Sequence, residues 1–84
     1  MYYFKKDTNE QVYILQYTGE NLAEVIPFLG NKFLSAPGNS RLQFHGTSGI
    51  KTIGKNIYLI KNFKTEISTC NSETIKDIYE KDTL

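Results

Sequence analysis

Tryptophan is absent from these 84 residues, and cysteine, histidine and methionine occur once each. A single cysteine, Cys70, excludes an internal disulfide, so the fold rests on packing, on a partner, or on both. One histidine and one cysteine lying far apart in sequence do not make a structural zinc set, and no loop has the ligand spacing of a calcium site. No metal or other cofactor is expected. Nowhere does the chain approach the roughly 18 consecutive apolar residues of a membrane helix. Its start, Met1-Tyr2-Tyr3-Phe4-Lys5-Lys6, lacks the long apolar stretch of a signal peptide. These absences lead to the expectation of a cytoplasmic protein without membrane contact.

Acid is missing where it would be most informative. Residues 31–65 carry Lys32, Arg41, Lys51, Lys55, Lys61 and Lys64 with no Asp or Glu, a net charge of +6. Residues 1–30 sum to −2 and residues 66–84 to −3, so the overall +1 conceals a basic middle between acidic ends. Hydrophobic residues make up 39% and charged residues 23%, the balance of a globular domain, and the length allows one domain, 1–84.

Two stretches read as helices. Asn21 suits an N-cap with Glu24 at the answering position of a capping box, and Leu22, Val25, Ile26 and Leu29 share one helical face. Gly30 is a natural stop, and Pro27 predicts a short or kinked helix. A second helix starts near Asn71 or Ser72 and places Ile75, Ile78 and Tyr79 on one side. The rest reads as strands: 2–4 at an edge, 12–17 in the centre, then 32–35, 41–45, 50–53, 57–60 and 66–69. Tight turns at Thr47-Ser48-Gly49, Gly54-Lys55-Asn56 and Lys61-Asn62-Phe63-Lys64 link the later strands, and short links demand antiparallel pairing. The expected fold is α+β: a small, mostly antiparallel sheet with two short helices packed on one face.

Gln16-Tyr17-Thr18-Gly19-Glu20-Asn21 and Phe28-Leu29-Gly30 resemble the opening of a family of small phage and prophage proteins of Gram-positive bacteria. Tyr17 stands where that pattern has Trp. Tyr58-Leu59-Ile60-Lys61, Glu66 with Cys70, and Tyr79-Glu80 resemble its later segments. Asn56-Ile57 replaces a Gly-Asp pair, and Asn62 and Thr65 replace glycines. The resemblance implies a phage origin and action inside the host bacterial cell, but no particular activity.

Catalytic constellations are poor. Cys70 ends an apolar strand and reads as a small core residue rather than a nucleophile paired with His45. Gly46-Thr47-Ser48-Gly49 lacks the spacing and the Lys-Ser/Thr of a phosphate loop and reads as a hairpin turn. The basic middle remains. Arg41, Gln43 and His45 alternate onto one strand face, and Lys61 and Lys64 flank Phe63, an arrangement suited to stacking on a base. The competing reading is that scattered lysines keep strand edges soluble. Six tyrosines exceed what a small core buries with satisfied hydroxyls, which favours an interface, and a homodimer would help so small a chain bury apolar area.

The sequence therefore suggests a non-catalytic binding protein. It would inhibit a host protein or sequester an anionic small molecule such as a signalling nucleotide, an anti-defence role being one form of this. Arg41, His45, Lys51, Lys61 and Lys64 are the candidate charged contacts, with Tyr58 and Phe63 the stacking groups. A nucleic-acid-binding accessory protein and a small phage assembly protein are the alternatives.

Overall fold

Side chains along a strand point alternately to opposite faces, so a strand that is apolar throughout needs cover on both sides. The computed structural model, which describes residues 2–81, provides it. The elements are β1 (Tyr2–Lys5), β2 (Gln11–Gln16), helix α1 (Leu22–Leu29), a 3₁₀ turn (Gly30–Lys32), β3 (Phe33–Gly38), β4 (Arg41–Gly46), β5 (Gly49–Ile53), β6 (Tyr58–Lys61), β7 (Ile67–Cys70), α2 (Ile75–Ile78) and β8 (Tyr79–Lys81). Five strands form an antiparallel sheet in the order β7-β6-β2-β1-β8, with β2 central as its composition predicts. A second antiparallel sheet has the order β3-β4-β5.

The main core lies between the two sheets and α1. Tyr17, Val25, Phe28, Leu29, Leu42, Phe44, Leu59 and Ile67 form it, with Leu15, Leu22, Phe33 and Ile53 packed around them. A smaller core on the other face of the large sheet joins Val12, Ile14 and Ile60 to Ile75 of α2, edged by Tyr3, Tyr58, Cys70 and Tyr79. Neighbouring residues divide between the cores, Leu59 into the first and Ile60 into the second. The helices therefore sit on opposite faces of the large sheet rather than together on one.

Four further expectations change. The first strand is not an edge, because β8 pairs outside it, Tyr3 opposite Lys81 and Lys5 opposite Tyr79. Tyr79 thus belongs to a strand, and the second helix ends at Ile78. The β5–β6 link is not a hairpin: β5 pairs with β4, whereas β6 crosses to the other sheet and pairs with β2 and β7. Helix α1 buries Val25, Phe28 and Leu29 and leaves Ile26 exposed, so its apolar stripe is rotated from the spacing-based face.

The Thr18–Asn21 segment is a locked corner rather than a capping box. The Asn21 carboxamide oxygen accepts from the Thr18 backbone N–H (2.9 Å) and hydroxyl (3.1 Å), while its nitrogen donates to the Gln16 carbonyl at 2.8 Å. The helix start is held instead by the Asn21 carbonyl, which accepts from Glu24 and Val25. Gly19 is required here. Its φ is +90°, and a Cβ would lie 2.8 Å from Ser40 Oγ. Gly19→Ala is expected to cost about 1–2 kcal/mol from the left-handed conformation and the contact together, measurable by urea denaturation.

Tyr79 gives the smaller core a pH dependence. Burial chiefly, then Cys70, Glu10 and Asp7, raises its pKa above the ordinary tyrosine value of 10.0. The fold therefore favours the neutral phenol. That contribution is complete below the unfolded-state pKa and is lost as pH rises through the higher folded value. Tyr79→Phe is expected to lessen the alkaline fall in melting temperature above about pH 10 and to leave the neutral-pH value nearly unchanged.

Candidate functional site

Lys61 closes β6 on the face that carries α1, directly opposite Tyr13 in register. Its ammonium donates to the Phe28 carbonyl at 2.8 Å and lies 4.4 Å from the centroid of the Phe28 ring. A cation at the C-terminal end of a helix meets the negative end of the helix dipole, so this contact fixes the side chain and supports α1. Tyr13 stacks at a tilt on the same ring, with centroids 5.8 Å apart. Lys61 is half-buried as a whole, and its bond to the Phe28 carbonyl is partly buried with it.

The β6–β7 turn adds the neighbouring groups and is braced from within. The Asn62 carboxamide oxygen accepts from the Lys64 and Glu66 backbone N–H groups, both at 3.0 Å, and its nitrogen donates to Glu66 Oε1 at 2.9 Å. Thr65 completes the turn at φ 62°, a conformation uncommon for a β-branched residue. Phe63 is 77% exposed on this turn, the largest exposure of any big apolar side chain among the described residues. The Lys64 ammonium lies 5.9 Å from its ring centroid. Lys32, at the end of the 3₁₀ turn, donates to the Thr65 carbonyl and so ties the α1 end to the same turn.

Three open depressions of about 200–300 Å³ adjoin here, and Lys61 lines all of them. Tyr13 and Phe63 line the first, Tyr13, Pro27 and Phe28 the second, and Lys32 and Thr65 the third. Among the described residues, Glu24 is the only acid on their walls. The result is a surface of aromatic rings interleaved with three lysines.

Of the seven residues singled out in the sequence, the fold brings together Lys61, Phe63 and Lys64. Arg41 and His45 lie on the outward face of the small sheet, beside Gln43, whose amide bonds to Ser35 and Thr52. Lys51 faces inward at the β5 edge, in register with Phe44. Tyr58 packs half-buried in the smaller core, on the face of the large sheet opposite Lys61. The expected single patch is thus divided among four places. Strand alternation separates Tyr58 from Lys61, and the crossover after β5 separates the small sheet from the large one. Cys70 and His45 are likewise apart: Cys70 borders the smaller core, with its Sγ 3.0 Å from the Thr74 hydroxyl.

Tyr13, Pro27, Phe28 and Lys32 belong to the site but were not singled out. Tyr13 and Lys32 gave a signal, the first as one of an excess of tyrosines and the second as one of the six cations of the basic run. Phe28 acquires its role through Lys61, 33 residues away, which no local pattern displays. No protein-family model, curated protein or solved structure matches the chain.

Proposed function

We propose that the chain is a non-catalytic binding module, phage-derived as its resemblance implies, that docks on an acidic face of a host protein and blocks it in the host cytoplasm. The observation that carries this reading is the placement of Lys61 at the junction of three depressions, with Phe28 beneath it and Phe63, Lys64 and Lys32 around it. Aromatic anchors flanked by cations suit an interface core and its charged rim. Pockets that enclose small molecules span about 300–1,000 Å³ and bury most of the ligand. The open depressions favour a broad protein partner over sequestration of a whole nucleotide.

The test is comparative capture from a Gram-positive host lysate. Wild-type protein and an Arg41→Gln/His45→Gln variant are expected to retain the same dominant acidic protein. A Lys61→Met/Phe63→Ala variant is expected to lose it. Equal capture by all three contradicts the reading.

A second reading, single-stranded nucleic acid, is favoured by exposed Phe63 beside Lys64, since ring stacking combined with lysine–phosphate contact is the usual mode. It predicts oligothymidylate binding that weakens steeply with added salt. Absence of binding at low salt removes it.

A further inference from the structure

Lys51 lies outside the Lys61 surface, and the fold makes room for it. It sits on the inner side of the β4–β5 hairpin, where Gly46 lacks the side chain that would obstruct it. A Cβ on Gly46 would come within 2.9 Å of Lys51 Cγ and 3.3 Å of the Gly49 carbonyl oxygen. The lysine stem therefore crosses the hairpin where only glycine leaves space. It leads to the gap between two strands that end their respective sheets, β5 and β7.

That gap holds a depression of about 200 Å³ lined by Thr47, Ser48, Lys51, Ile67, Ser68 and Thr69. Thr69 shares the face of buried Ile67, whereas Ser68, in register with Ile60, meets the gap through its edge backbone, so the hydroxyls at the gap are those of Thr47, Ser48 and Thr69 beside the Lys51 ammonium, with no carboxylate among the described residues on its walls. Among the described residues the Lys51 ammonium has no hydrogen-bond or ion-pair partner. Glu10 and Glu66 line a separate depression that shares Thr47 and Ser68, and Glu66 is held there by Asn62.

We propose that this gap binds a phosphoryl group, as free phosphate or as the head of a phosphate monoester. The tetrahedral group presents several oxygens at once, which suits hydroxyl donors arriving from two sides, the turn and β7, around one cation. Lys51 supplies the charge-assisted hydrogen bond, and the hydroxyls of Thr47, Ser48 and Thr69 supply neutral ones. The volume takes the phosphoryl group and leaves any attached nucleoside or peptide outside. The site is independent of the Lys61 surface and stands or falls separately.

The experiment is an NMR titration of the full chain with inorganic phosphate, O-phosphoserine and adenosine monophosphate in turn. Saturable shifts centred on Thr47, Ser48, Lys51, Ser68 and Thr69 are expected with all three probes. Tighter binding of one monoester would identify the source of the group. Lys51→Gln is expected to weaken binding about tenfold, the size of one charge-assisted contact. Gly46→Ala is expected to weaken it by displacing the lysine stem, and Lys61→Met to leave it unchanged. Lys51→Gln alters an exposed side chain and preserves the fold, so it remains informative if Gly46→Ala disturbs the hairpin. Shifts that never saturate, that persist undiminished in Lys51→Gln, or that centre on Lys61 overturn the proposal.

Discussion

Phe44→Ala is expected to leave the chain largely unfolded or close to its unfolding threshold. Phe44 is fully buried in the main core, where β4 of the small sheet meets Leu59 and Ile67 of the large one. Truncating a buried phenylalanine costs about 3–5 kcal/mol in lost burial and residual cavity. A domain of this size is stable by roughly 4–13 kcal/mol in all. The corresponding fall in melting temperature is more than about 12 °C, read by calorimetry or circular dichroism. Ile50→Ala is the control. It lies on the same hairpin but is 64% exposed, so a change within about 0.5 kcal/mol is expected. Similar losses for the two would mean that the small sheet does not close the main core.

Lys61→Met and Phe63→Ala are expected to act on binding rather than on folding. Methionine keeps the stem over Phe28 but removes the charge and the donor to the Phe28 carbonyl. The folding cost is about 1 kcal/mol, that of one partly buried hydrogen bond. Phe63 projects into solvent, so its loss costs the fold little. In a complex both groups would be desolvated at the centre of the contact, where the few hot-spot truncations cost about 2 kcal/mol or more. Each variant is therefore expected to weaken partner affinity by more than about tenfold, with unchanged melting behaviour for Phe63→Ala. Isothermal titration against the captured partner, beside thermal melts, separates the two effects.

Much of the fold was legible because strand alternation and turn chemistry are local. The runs at 41–45 and 50–53 appear as β4 and β5, extended only at their ends, and Gly30 ends α1 with φ 59°. What escaped depends on contacts distant in sequence. The Ile75, Ile78 and Tyr79 spacing suits a helix, yet pairing with β1 draws 79–81 into a strand. Nothing near Gly54-Lys55-Asn56 indicates that the chain leaves one sheet for another, since a turn with Asn56 at φ 72° serves a crossover as well as a hairpin. The same limit divides the candidate site. A run of lysines without acids is visible in sequence, but the face each one occupies is set by register. Lys61, Phe63 and Lys64 stay together because one Asn62-braced turn carries them, whereas Arg41, His45, Lys51 and Tyr58 are distributed by strand faces and by the crossover.

The central claim is that the surface around Lys61, and not the outer face of the small sheet, receives an acidic partner. Backbone chemical-shift mapping during titration with a short polyglutamate peptide tests it directly. The account predicts that shifts concentrate at Tyr13, Phe28, Lys32 and residues 61–65 and diminish in Lys61→Met. Shifts concentrated instead at Arg41, Gln43 and His45, or an undiminished response in Lys61→Met, would contradict it.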